Sequence, residues 1–175
     1  MAIAILWPGW SASATEEAPA LEHRVKAAFL YQFAGYVEWP PNSFERADTP
    51  VTIAVVGAEP LAAELGQMTV GRTVGGRRVS VRQVKAEDSL AGVHILFIGR
   101  AESARLSQLA RTAQPRSILT VTESDGALEQ GGMINFVIVD RRVRFEVALD
   151  TVEKGGLRLS SRLLAVAEQV RKEAP

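Results

Sequence analysis

Three short runs of apolar and β-branched residues constrain this chain most: Val51-Thr52-Ile53-Ala54-Val55-Val56, His94-Ile95-Leu96-Phe97-Ile98 and Ser117-Ile118-Leu119-Thr120-Val121-Thr122. Gly57 and Gly99 close the first two. Runs this apolar, with little polar alternation, suit strands covered on both faces, as in a parallel sheet sheathed by helices. The segments between them have helical character. Ala58 to Gln67 carries Pro60 in its first turn, where a missing N–H is tolerated. Glu102 to Thr112 sets Ala104, Leu106, Leu109 and Ala110 on or near one face. Val79 to Val84 alternates as a half-exposed strand after a link punctuated by Gly71, Gly75 and Gly76. This order predicts an α/β fold: a three-layer sandwich with a mostly parallel central sheet and helices on both faces. Met133 to Val139 and Val143 to Leu149, joined by Asp140-Arg141, predict an antiparallel hairpin at one edge of that sheet.

Leu21 to Trp39 reads as a helix. Leu21, Val25, Ala28, Phe29, Gln32, Phe33 and Tyr36 recur at steps of three and four and form the expected inner stripe, with Glu22, Lys26 and Gly35 off it. Pro40 and Pro41 end the helix. Thr151 to Lys172 reads as helical with a break at Gly155-Gly156, and Ser160 or Ser161 can cap the second piece. At 175 residues the chain suits a single domain, assigned to residues 21–172. Residues 1–14 are expected to be the remnant of a signal peptide: Ala2 to Trp7 is apolar, and Ala12-Ser13-Ala14 has the small-x-small form of a cleavage site. No basic residue precedes that apolar run. An ordinary N-terminal arm is the alternative.

Composition removes several chemistries. Lys plus Arg and Asp plus Glu are 20 each, so the net charge is zero and no general attraction to nucleic acid is expected. There is no cysteine and only two histidines, His23 and His94, which leaves thiolate or histidine-rich metal sites without ligands. No metal and no cofactor are expected. The strand ends were the places to seek catalysis. Gly57-Ala58-Glu59-Pro60 lacks dinucleotide-loop spacing, and Gly99-Arg100 has no phosphoacceptor aspartate. Glu123-Ser124-Asp125 is the one acidic strand end, and a turn accounts for it more simply than a catalytic pair. His94, opening a buried strand, is expected to satisfy a backbone group. The expectation is a protein that is not an enzyme.

Recognition remains. Tyr31, Tyr36, Trp39 and Phe44 gather around the first helix and the Pro-Pro turn, either as packing or as an aromatic surface for a partner or flat ligand. The candidate contact residues are Tyr36, Glu38, Trp39, Pro40 and Phe44, with polar contributions from Arg144, Glu146 and Arg158, to which Arg162 can add.

Seven stretches occur in the order seen in one family: VKAAFLYQFAGYVEWPPNSF, IAVVGAEPLAAEL, GRTVGGRRVSVRQV, HILFIG, SILTVTE, GGMINFVIVDRRVRFEV and GLRLSSRLLAVAE. Over about Val25 to Glu168 the chain resembles the YfiR-like family of periplasmic regulatory proteins. The resemblance implies an exported α/β protein that binds the extracytoplasmic domain of an inner-membrane signalling protein, a diguanylate cyclase or a sensor kinase. It implies a role in cyclic-di-GMP signalling and biofilm behaviour, with an outer-membrane lipoprotein as a further partner. Some members carry disulfides, which this chain cannot form. One alternative stands beside the repressor reading, a small-molecule-sensing module for a sensor kinase; under either, the edge hairpin could pair two subunits as a homodimer.

Overall fold

The computed structural model describes residues 14–172. The leader expected at residues 1–14 therefore lies outside the described residues, Ala14 excepted. In chain order the elements are α1 (Ala14–Tyr36), β1 (Val37–Glu38), β2 (Val51–Val56), α2 (Glu59–Thr69), β3 (Thr73–Val74), β4 (Arg77–Gln83), β5 (Ile95–Ile98), α3 (Leu106–Ala113), β6 (Leu119–Thr122), β7 (Ile134–Val139), β8 (Arg142–Ala148), α4 (Leu149–Lys154), β9 (Arg158–Leu159), α5 (Ser161–Ala165) and β10 (Gln169–Arg171).

The apolar runs become the centre of an eight-stranded sheet ordered β10-β8-β7-β6-β5-β2-β4-β3. Strands β4, β2, β5, β6 and β7 are parallel, so every residue of β2, β5 and β6 is buried. Helices α1 and α2 cover one face over the larger apolar cluster, and α3 covers the other. The α/β sandwich is as expected.

The β7–β8 hairpin is also present, in register from Ile134↔Val147 to Val139↔Arg142. It turns through Asp140 (φ 48°) and Arg141 (φ 61°), the left-handed pair that a tight turn between twisted strands requires. Its position differs from the expectation. β10 pairs in parallel with β8, so the outermost strand on this side is β10 and the hairpin lies one strand in. The C-terminal segment accordingly departs from a broken helix. After α4 and Gly155-Gly156, Arg158-Leu159 pairs with Val37-Glu38 as a two-stranded ribbon, and Gln169–Arg171 joins the sheet. Strand partners available only in three dimensions override a weak local helical preference. The expected cap is there: Ser160 Oγ accepts from the Leu163 N–H at 3.3 Å.

Helix α1 is seated by phenylalanines. Phe33 lies 5.1 Å from Phe145 and 5.9 Å from Phe136, ring centre to ring centre, and Phe29 reaches the same two rings at 5.5 and 5.9 Å. Phe136 and Phe145 are direct cross-strand partners in the hairpin. The inner stripe of α1 is Lys26, Ala27, Leu30, Phe33, Ala34, all buried. The expected stripe is thus displaced around the helix. Only Phe33 is shared; Leu21, Gln32 and Tyr36 are exposed, while Val25, Ala28 and Phe29 are half-buried. Lys26, expected to face outward, is inside. The helix also stops at Tyr36, because Val37 and Glu38 are taken up by the ribbon.

Between β2 and β5 the chain reverses its direction of travel across the sheet, and open sheets commonly hold ligands in the crevice beyond such a point. Here the crevice is shut by backbone contact. A Cβ placed on Gly99 would lie 2.2 Å from the Gly57 carbonyl oxygen and 2.9 Å from Ala58 Cβ. Gly57 itself has φ +67° and sits against Glu102. Gly99→Ala is expected to destabilise the fold by about 3 kcal/mol through forced separation of these loops. Gly66→Ala, in α2 with open space around it, is expected to be neutral or stabilising by up to about 1 kcal/mol. Urea unfolding midpoints of the two variants check the contrast.

Candidate functional site

The parallel strands give the molecule two ends, and the chemically distinctive residues divide between them. At the end where β5 and β6 finish, α1 delivers Lys26 into the interior. Its side chain is only 2% exposed, and an ammonium there must be neutralised to be tolerated. Lys26 Nζ donates to Glu123 Oε2 at 2.6 Å and also to Glu22, one helical turn earlier. The second oxygen of Glu123 accepts from the Arg100 N–H at 3.2 Å, and the Arg100 guanidinium reaches the Glu123 carbonyl at 3.1 Å. The acidic strand end is therefore committed to holding α1 on the sheet. Asp125 is exposed and takes no part in it. The Glu22–Lys26 spacing of four was the available signal for this cluster. The apolar pattern leaves Lys26 off the inner stripe, because its second carboxylate partner, Glu123, is remote in sequence.

At the opposite end, where β2 and β5 begin, six of the candidate residues come together. Glu38 and Arg158 are partners in the β1–β9 ribbon, with Tyr36 and Pro40 flanking Glu38 along the chain. Trp39 meets Phe44 and His94 edge-on, each at 6.0 Å. Phe44 stacks on His94 at 4.3 Å, and Arg77 lies over Phe44 at 4.0 Å. Arg77 also donates to the carbonyls of Arg46, Ala47 and Thr49 at 2.8–2.9 Å. His94 is fully engaged with backbone, as expected: Nδ1 accepts from the Thr52 N–H at 3.1 Å, and Nε2 donates to the Ser43 carbonyl at 3.0 Å. These aromatic rings pack on one another and on His94, latching residues 41–49 to the start of the sheet.

The remaining two candidates, Arg144 and Glu146, are not part of that group. They lie on β8 opposite Val137 and Asn135, toward the Lys26 end. Glu146 pairs with Arg171 at 3.2 Å. Arg144 contributes to a groove of about 660 Å³ between α1 and the hairpin, with Leu21, Val25, Phe29, Ile138 and Val143 among its apolar lining. Composition and motif reading did not foresee this groove, because it depends on the rotation of α1.

A family model described as YfiR/HmsC-like matches residues 23–168. The chain belongs to the YfiR/HmsC-like family. No curated protein matches it. Among solved structures it is similar to a conserved domain protein from Vibrio cholerae O1 biovar eltor, with a TM-score of 0.62, 9% identity, and 85% of this chain and 60% of that chain covered. It is likewise similar to the ABC domain from Streptococcus pneumonia in complex with L-Trp, with a TM-score of 0.58, 10% identity, and 86% and 60% of the two chains covered. The chain spans 60% of the length of each, and at such identities the likeness is one of fold. In this member of the family, the buried lysine and the latched histidine are the groups whose energetics are most exposed to test.

Removing Lys26 leaves Glu123 largely buried without its counter-charge, holding only the Arg100 N–H. Lys26→Met is expected to cost about 3 kcal/mol, and adding Glu123→Leu to recover a large part of it; a double-mutant cycle in urea reads the coupling. For His94, burial pushes the imidazole below its ordinary 6.5; the Ser43 bond opposes this and the Arg77 charge assists it. The unfolded chain therefore takes up a proton at a pH where the folded chain does not. Stability should be independent of this group above about pH 6.5 and fall below it, by at most about 1.4 kcal/mol per pH unit, until the depressed folded value is reached. Denaturation across that range should show the slope, and His94→Gln should flatten it.

Proposed function

We propose that this protein is an exported regulator that binds the extracytoplasmic domain of an inner-membrane signalling protein, in the first instance a diguanylate cyclase, and restrains its output. Family membership over residues 23–168 carries the reading. Two arrangements at the strand ends favour recognition. The switch-point crevice is occupied by backbone, and the acidic strand end is neutralised by Lys26. Surface remains open for a partner, chiefly along α1 and the hairpin.

An outer-membrane lipoprotein that relieves the restraint is the second partner the reading includes. A small-molecule module for a sensor kinase draws less support, since the aromatic cluster that would form its pocket is filled by Trp39, Phe44 and His94 themselves. Deleting the gene is expected to raise cellular cyclic-di-GMP several-fold, measured by mass spectrometry, and the protein recovered from the periplasmic fraction is expected to begin after Ala14. Unchanged cyclic-di-GMP after deletion would overturn the repressor reading.

A further inference from the structure

The His94 ring joins the sheet to the segment at residues 41–49, and it has to be neutral to do so. The Thr52 bond fixes the protonation state, because Nδ1 accepts from that N–H only while it carries no proton. Nε2 donates to the Ser43 carbonyl. The ring stacks on Phe44 with an interplanar angle of 13°, and Arg77 lies over Phe44 as well. Both cannot occupy one face, so Phe44 is held between an imidazole and a guanidinium.

A proton on Nδ1 turns two donors toward each other, ring N–H against Thr52 N–H, and sets a second cation across Phe44 from Arg77. On the segment's side the effect is opposite. The Ser43 bond becomes charge-assisted, and the face of Phe44 attracts a cation. Protonation thus loosens the ring's tie to β2 and tightens its tie to residues 43 and 44. The lowered pKa of the group agrees that the losses outweigh the gains while the segment is closed.

The strands have no need to follow the ring. The His94 main chain keeps its own bonds, N–H to the Thr52 carbonyl and carbonyl from the Leu119 N–H, both at 2.9 Å. Residues 45–48 are exposed, so parting this segment is far cheaper than unfolding the sheet. Beside it, the buried Trp39 Nε1 has no hydrogen-bond partner among the described residues, a cost that water entering the opened site relieves. The charged groups around the ring are Arg77 on β4, Glu45, Arg46 and Asp48 in the segment, Glu38 and Arg158 in the ribbon, and Arg116 ahead of β6; β2 and β5 carry none. Arg46 pairs with Asp48 and Glu38 faces Arg158 in register, while both ring nitrogens are taken by main chain, so no carboxylate holds the imidazolium in place. We propose that His94 is a proton-operated latch: protonation at Nδ1 removes the acceptor for the Thr52 N–H and frees residues 41–49, with Phe44, from the start of the sheet while the strands stay paired. The inference concerns the chain's own conformations and stands apart from the regulator reading.

The chain has no cysteine, so a nitroxide can be placed at one position of the full protein. Ala47→Cys reports the segment, and Gln108→Cys, exposed on α3, reports the body. Electron paramagnetic resonance between about pH 7.5 and pH 5 should show the Ala47→Cys label gaining a mobile component below about pH 6.5. The open-to-closed ratio should rise by up to about tenfold per pH unit, and the Gln108→Cys label should stay unchanged. Adding His94→Gln should make the Ala47→Cys spectrum independent of pH, whichever state it adopts. With only two histidines, proton titration of the imidazole signals by NMR, assigned with His23→Gln, locates the His94 step directly, and the mobile component should track it. A His94 signal that titrates while the Ala47→Cys label stays immobile overturns the latch, as does a pH response that survives His94→Gln. So does release of both labels together, or a His94 signal that stays neutral until the α3 label reports unfolding.

Discussion

An ammonium group cut off from water has to find carboxylates, and Lys26 finds two, Glu22 on its own helix and Glu123 at the end of β6. The pairing does more than tolerate a buried charge. Helix α1 is apolar around much of its circumference, so apolar burial alone leaves its rotation weakly specified. Placing Lys26 against Glu123 selects one rotation, which sends Ala27, Leu30 and Phe33 to the sheet and turns Leu21, Val25 and Phe29 toward the rim. Buried ion pairs often contribute little net stability. Here the pair decides which of two greasy surfaces the molecule keeps and which it shows.

Everything on that side of the sheet follows from the choice. In this rotation Phe33 stacks on Phe136 and meets Phe145 edge-on, and those two residues are cross-strand partners. The contact ties the hairpin to the helix. The groove is the space left between an oriented helix and an oriented hairpin. At the other end of the strands, the His94 and Arg77 contacts perform a separate task, holding residues 41–49 in place, and no described side chain links the two clusters directly.

Much of the architecture was legible in the residues. The runs at 51–56, 94–98 and 117–122 read as two-sided strands, and Asp140-Arg141 between alternating segments reads as a tight turn. The failures have specific physical causes. The stripe on α1 was drawn through residues that are apolar but peripheral, because a lysine looks like a solvent residue until its carboxylate partner, 97 positions away, is known. The C-terminal segment looked helical because the partners of β9 and β10 lie far off in sequence, in β1 and β8. The candidate contact set mixed six residues at one end with Arg144 and Glu146 at the other. Nothing local to those residues records the strand order that separates them.

The contact between Gly57 and Gly99 has a consequence for what such a sheet can be made to do. Opening the crevice would mean parting main chain from main chain, and no change of side-chain rotamer achieves that. While both positions stay glycine the two loops keep their main-chain contact. Substitutions on the outer faces of the helices and the hairpin, by contrast, leave the strands beneath undisturbed.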